Sequence, residues 1–308
     1  PSWTNPEHPG YAYPEAAGLV LTVLAQARPD DPALEPIARW LAAQVDDRGL
    51  VGRRGLAHVF DTAMALTGLL AARRAGIAVE FATLSSMAEA LLRAVAQREA
   101  VVASEGRVPD RWSTRWSCHQ LKLVWALSAY EAEAPALVPA RRSAIEAAIT
   151  DLAALSTLEQ GGRFPLDENE GRSYVHASCY ALEGVLALLR RGGPDLAEHR
   201  ARLRRGGDWL ASLQDADGSL PCWIGGGEEQ ERRPSDVIAQ ALRLWSAIDR
   251  RAYAGEIDRA RAALARRATP DGGLRYVEDG DDINSWCTAF AAQALRWHDG
   301  DGDGDWIA

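Results

Sequence analysis

The sequence predicts an all-α fold in which a ring of about six inner helices is enclosed by five to six outer ones. Three observations carry that prediction. The first is a period. Gly49-Leu-Val, Gly106-Arg-Val-Pro, Gly162-Arg-Phe-Pro, Gly218-Ser-Leu-Pro and Gly273-Leu-Arg-Tyr follow one another at intervals of 57, 56, 56 and 55 residues. A fixed spacing of this size marks a repeat architecture. The second is that each interval holds two helical stretches of different kinds, one apolar on nearly every face and one amphipathic. A helix apolar all round must be enclosed, whereas an amphipathic one faces water. The third is the lack of any sustained period-two run of β-branched residues, so no strand is expected.

The apolar helices follow the glycine loops. They are read at Asp61 to Ala72, Cys118 to Tyr130, His176 to Leu189, Asp236 to Ile248 and Asn284 to Trp297, with Tyr13 to Ala27 as a sixth member that lacks its loop. The amphipathic helices precede the loops, at Pro36 to Val45, Ser86 to Arg98, Arg141 to Leu155, Leu196 to Gln214 and Glu256 to Arg267. A single domain over residues 1–298 is expected. Residues 299–308 read as a flexible acidic tail, because the repeated Asp-Gly pattern has no Glu where a calcium loop would close.

The chain has 308 residues, 47% of them hydrophobic, so it can bury a large core. Its net charge is −9 and it carries no basic tract, which argues against nucleic acid as a partner. No stretch of about 20 apolar residues spans a bilayer. The start, PSWTNPEHPGYAYPEAAG, has no basic leader, so no signal peptide is expected. Cys118, Cys179, Cys222 and Cys287 show no paired spacing, which fits reduced thiols and a cytoplasmic location.

One stretch carries a resemblance. Arg205-Gly-Gly-Asp-Trp209-Leu-Ala-Ser-Leu-Gln214-Asp-Ala-Asp-Gly218-Ser219-Leu220 resembles the QW repeat of squalene cyclases and the related repeat of protein prenyltransferase β subunits. Trp40-Leu-Ala-Ala-Gln44-Val-Asp-Asp-Arg-Gly49-Leu50 is a shorter copy. The resemblance implies an α/α toroid, the architecture already asked for by the period. The stretch His176-x-x-Cys179-Tyr180-Ala-Leu-Glu183-Gly184 looks most like the toroid proteins of bacterial polysaccharide pathways. A shared fold does not choose a chemistry.

In such a toroid the first turns of the inner helices meet at one mouth of a central cavity. Here those turns are polar. They supply His58 and Asp61, Arg115 and His119, His176, Asp236, Asp281 and Asn284, while Glu183 lies two turns below His176. Trp116, Tyr180 and Trp286 are among the aromatic residues that flank them. Asp and Asn before an apolar run are ordinary helix caps. Histidines and an arginine donate rather than accept, and a positive helix end disfavours them, so capping does not account for the set.

Asp279-Gly-Asp281-Asp282 is similar to the D-x-D-D motif of class II terpene cyclases, whose middle Asp protonates an alkene or epoxide. The resemblance implies Asp281 as that acid. Lanthionine cyclases, also toroids, hold zinc through W-C-x-G and C-H-G motifs. Trp286-Cys287 and Cys118-His119 lack both glycines and stand in the opposite order, so neither zinc nor any other cofactor is expected.

The sequence therefore reads as an enzyme performing acid–base chemistry of cyclase, isomerase or lyase type. His176, Asp281, Glu183 and Asp61 are its catalytic candidates. His58, Arg115, His119, Asp236, Trp116, Tyr180, Asn284 and Trp286 are expected to bind a small prenyl, sugar or peptide substrate. Two further readings stand beside this one. The first is a carbohydrate-pathway enzyme built on the polar ring around His176, with His176 and Glu183 as acid and base. The second is a non-catalytic toroid that holds a peptide or lipid.

Overall fold

The computed structural model describes residues 12–53, 55–104, 107–134, 137–166, 171–225, 232–300 and 307. It is an all-α protein. By its contacts the chain divides into two compact units, Tyr13–Leu155 and Ser156–Asp305.

The first unit holds α1 (Pro14–Ala27), α2 (Leu34–Ala42), α3 (Val59–Arg74), α4 (Phe81–Gln97), α5 (Leu123–Glu133) and α6 (Pro139–Ala154). α3 packs between α1 and α5, while α2, α4 and α6 lie outside them. The burial follows the sequence pattern. Every residue of α3 from Val59 to Ala72 is buried, whereas α6 buries only Ile145, Ala148, Ile149 and Leu152, at helical spacing. α1 and α3 touch backbone to backbone at Gly18 and Gly68. A Cβ on Gly18 would lie 2.5 Å from the Met64 carbonyl oxygen, and only glycine permits that approach.

The second unit holds α7 (Val175–Arg191), α8 (Leu196–Leu213), α9 (Ser235–Asp249), α10 (Ala254–Arg267) and α11 (Ser285–Asp299). α9 packs between α7 and α11, with α8 and α10 outside. α7 is buried continuously from Val175 to Leu188. α8 turns a single face inward, made of His199, Leu203, Gly206, Gly207 and Leu210.

The glycine loops explain the period. Gly218 has φ +89°, and a Cβ there would lie 2.1 Å from the Arg259 carbonyl oxygen on α10. Gly49 and Gly162 have the same backbone sign and press on α4 and α8 in the same way. Each turn thus butts against the next outer helix. In the last repeat the left-handed glycine is Gly272, one residue before the expected Gly273, and Gly106 lies outside the described residues. Just after the glycine an apolar residue plugs the core, and its N–H is held by a hydroxyl in the first turn of the following inner helix. Val51 bonds Thr62 at 3.1 Å, Phe164 bonds Ser178 at 3.3 Å and Leu274 bonds Thr288 at 3.0 Å. Gln214 of the QW-like motif reaches α10, donating to the Glu256 carbonyl at 3.0 Å and accepting from Arg259 at 2.9 Å.

Short strands are present where none was expected. β1 (Gly52–Arg53), β2 (Leu56–His58) and β3 (Val101–Ala103) form an antiparallel sheet, and β4 (Ser173–Tyr174) pairs with β5 (Trp223–Ile224). At two or three residues each they are too short to show alternation. The expected helix at Cys118 also starts differently, as a 3-10 turn over Cys118–Lys122 that leads into α5. Most of the acidic tail, 301–306 and 308, lies outside the described residues; α11 runs to Asp299, and Ile307 is buried. No described helix is long and apolar enough to cross a membrane.

Candidate active site

In the second unit three loops deliver side chains to the starts of α7, α9 and α11. Each helix begins after an extended residue, Tyr174, Pro234 and Asn284 respectively. The second helical residue is then His176, Asp236 or Trp286. His176 and Asp236 form a pair, with Nδ1 and Oδ2 3.7 Å apart and both side chains buried. The imidazole sits in an aromatic box. Its centroid lies 4.3 Å from the Tyr180 ring, 5.5 Å from Tyr174 and 6.1 Å from Phe290. Tyr174 in turn stacks on Trp223 at 4.7 Å, and the Arg172 guanidinium covers Trp223 at 4.7 Å.

Burial pushes the Asp236 carboxyl up, and the neighbouring His176 pulls it back. The Asp236 Oδ1 also accepts the Val237 N–H at 2.7 Å, which fixes the carboxylate against the helix start. Burial raises the Tyr174 and Tyr276 phenols, and the charge of Asp236 adds to the effect. Both phenols therefore remain protonated and able to donate.

Below this pair lies a second polar group. Glu183 is fully buried and forms an ion pair with Arg243. Its Oε1 accepts from Arg243 Nη2 and, at 3.2 Å, from Gln240 Nε2. Arg243 Nη1 donates to Gln293 Oε1 at 2.6 Å, and the guanidinium lies 5.0 Å from the Phe290 ring centroid. Glu183 was expected to meet a substrate as the partner of His176. Its carboxylate is enclosed, and Oε1 is bound to Arg243 and Gln240 of α9.

Asp281 also departs from expectation. It is exposed in the loop before α11, as is Asp279. An acid that protonates an alkene needs burial to stay protonated, so the terpene-cyclase reading of Asp281 has no structural basis. Asn284 is the cap of α11, accepting the Cys287 N–H at 3.0 Å. Trp286 is half-buried on the first turn of α11.

The remaining candidates belong to the first unit. His58 ends β2 and Asp61 lies in the first turn of α3. Burial pushes the Asp61 carboxyl up to about 7, opposed by a hydrogen bond from the Tyr13 hydroxyl. Burial lowers His58, partly offset by the Ser113 backbone. His119 is buried with its ring 5.8 Å from Phe60 and 5.3 Å from Trp112. Arg115 is half-buried and bonds Asp110 at 2.9 and 3.2 Å, beside a half-buried Trp116. The raised Asp61 makes a testable statement about stability. An Asp that keeps its proton to about pH 7 when folded, but only to about 3.8 when unfolded, costs stability as pH rises between those values. Asp61→Asn is therefore expected to match wild type near pH 4 and to exceed it at pH 8 by on the order of a few kcal/mol, read from urea melts at the two pH values.

The four cysteines are buried and unbridged. Burial pushes the Cys118 thiol up to about 12 and the Cys287 thiol well above its usual range. Among the described residues no group of three or more His, Cys, Asp or Glu side chains is arranged to hold a metal.

No protein-family profile matches the sequence, and no curated protein does. Solved structures do match in fold. An unsaturated glucuronyl hydrolase specific for heparin superposes with a TM-score of 0.73 at 12% identity, over 100% of this chain and 92% of its own. Cellobiose 2-epimerase from Spirochaeta thermophila gives 0.66 at 14% identity, over 94% and 86%. A polysaccharide lyase gives 0.66 at 11%, over 94% and 92%. At such identities the likeness is one of fold: the chain has the α/α toroid fold. The three enzymes bear carbohydrate names, and none of them supports the squalene-cyclase side of the motif resemblance.

Proposed function

We propose that the chain is a carbohydrate-active enzyme that moves a proton at a sugar carbon, with His176 as the base and Asp236 as the group that orients and balances it. The observation that carries the reading is the 3.7 Å contact between His176 Nδ1 and Asp236 inside an aromatic box. A carboxylate beside Nδ1 stabilises the imidazolium that forms when the other ring nitrogen takes a proton. The same imidazolium can then return the proton. Return of that proton after the planar enediol intermediate has turned its other face to the imidazolium inverts the configuration, and expulsion of a neighbouring oxygen substituent, which takes the proton as it leaves, instead gives an unsaturated sugar. Tyr174, Trp223 and Arg172 stack on one another beside the pair, and this aromatic and cationic wall suits a sugar ring bearing hydroxyls or an acid group. Glycoside hydrolysis commonly uses two carboxylates flanking the scissile bond. Within this unit Glu183 is held by Arg243, so it does not supply a second one beside Asp236. The structural neighbours bear hydrolase, epimerase and lyase names alike, so the preference rests on the site and not on them.

The test is solvent exchange. Purified protein is incubated in deuterium oxide with reducing disaccharides and with uronate-containing polysaccharides. Deuterium entering a sugar carbon, or an unsaturated product absorbing in the ultraviolet, is expected and should vanish in His176→Ala. Hydrolysis without either signal, or exchange that survives His176→Ala, would remove the assignment.

A further inference from the structure

The three inner helices of the second unit share one register. His176, Tyr180 and Glu183 on α7 are spaced i, i+4 and i+7. So are Asp236, Gln240 and Arg243 on α9, and Trp286, Phe290 and Gln293 on α11. This spacing keeps three residues on one helix face at successive turns. The contacts join the levels. Tyr180 and Phe290 meet edge to face at 6.2 Å, and both touch the His176 ring. Arg243 lies against Phe290 from beneath.

The geometry points to the Glu183–Arg243 ion pair as a positioning element for the His176–Asp236 pair, acting through Phe290 and through the relative register of α7, α9 and α11. The inference rests on the functional reading of His176 given above. Three arguments support it. First, one carboxylate oxygen of Glu183 takes bonds from two residues of α9, and the Arg243 guanidinium reaches on to α11, so a single charge-assisted cluster ties three helices together. Second, a slip of one residue along a helix is about 1.5 Å of rise and 100° of rotation. Neither the cluster nor the 3.7 Å His176 contact would survive it. Third, stability alone gives a weak account of the pair. Desolvation of two fully buried charges offsets most of their attraction, and apolar side chains of similar volume commonly serve a core as well. In the cluster Glu183 and Arg243 bond to one another and to Gln240 and Gln293, two turns below the level of the imidazole, so the role assigned to them is positioning and not catalysis.

The experiment removes both charges at once, in Glu183→Leu/Arg243→Met, because a single substitution strands a buried charge. Circular dichroism and thermal melting report the fold. The imidazole 15N resonances of His176, assigned with His176→Gln, report the local geometry without any substrate. Solvent exchange on the sugars reports kcat and KM. The double variant is expected to fold, to show displaced His176 15N resonances, and to lose about 10- to 100-fold in kcat with little change in KM. Wild-type resonances and wild-type kcat in the folded double variant would overturn the proposal. Should that variant not fold, Glu183→Gln/Arg243→Met decides in its place: it keeps the shape at Glu183 and leaves no buried charge, and unchanged His176 resonances there overturn the proposal equally. A protein that exchanges no sugar at all would sink the reaction assigned to His176, and the 15N comparison would still stand or fall by itself.

Discussion

His176→Ala is expected to lower turnover by about 10²- to 10⁴-fold, the range over which a positioned acid or base contributes, while leaving the fold intact. The structural cost is contained because His176 lies in the first turn of α7, where the helix is held by other means. Val175 bonds the Cys222 carbonyl at 3.0 Å, and Ser178 ties the loop plug Phe164 to the helix. The cavity left by the ring is bounded by Tyr174, Tyr180 and Phe290. A loss of one or two kcal/mol is expected from it, well within a domain's reserve. Asp236→Asn separates orientation from charge. The amide keeps the shape and an oxygen for the Val237 N–H but cannot balance an imidazolium. It should lower kcat by at least 10-fold and displace the acidic limb of the pH–rate profile, the one set by the base, towards lower pH, with KM close to wild type. Steady-state rates across pH 5–9 for the two variants check both statements. Equal rates in His176→Ala and wild type, with a folded variant, would make His176 a core histidine.

Helix placement was legible in the sequence because two burial patterns leave different traces. α7 is buried on every face from Val175 to Leu188, and α8 only at positions such as His199, Leu203 and Leu210. A continuous apolar run and a one-sided stripe cannot be confused over four turns. The pairing of β4 with β5 left no such trace, since two residues cannot display a period. At the candidate site, His176, Asp236 and Tyr180 could be named from their offset to the glycine loops. Arg243, Gln240 and Phe290 could not. They lie inside stretches read as uniformly apolar, and their partners are distant in sequence, as Arg243 and Glu183 are 60 residues apart. The exposure of Asp281 was not legible for a related reason. A motif records which residues are present, whereas a working acid depends on burial, a tertiary property, and this loop leaves Asp281 in solvent.

The buried ion pair should respond to single substitutions in a way no surface pair would. Arg243→Leu is expected to destabilise the protein by about 3–5 kcal/mol, the range for removing one partner of a buried pair. The cause is the group left behind. Glu183 is enclosed, and with Arg243 gone its Oε1 keeps the Gln240 amide at 3.2 Å. A carboxylate stranded there must either bear its desolvation or take up a proton as the protein folds. The second route makes the loss pH-dependent. A folded-state pKa raised above the unfolded value means that stability falls as pH rises from the unfolded value through the folded one. The deficit of Arg243→Leu should therefore be smaller near pH 4 than at pH 8. The double substitution Glu183→Leu/Arg243→Met should recover most of the loss at either pH, because no charge remains to desolvate. Exposed pairs such as Arg261–Asp258, 3.8 Å apart, serve as the contrast: Arg261→Leu is expected to shift stability by less than about 1 kcal/mol. Urea denaturation of the three variants at pH 4 and pH 8 tests the pattern. A pH-independent deficit under 1 kcal/mol for Arg243→Leu would mean that Glu183 finds water or another donor at no cost, and that the pair does not hold α7 against α9.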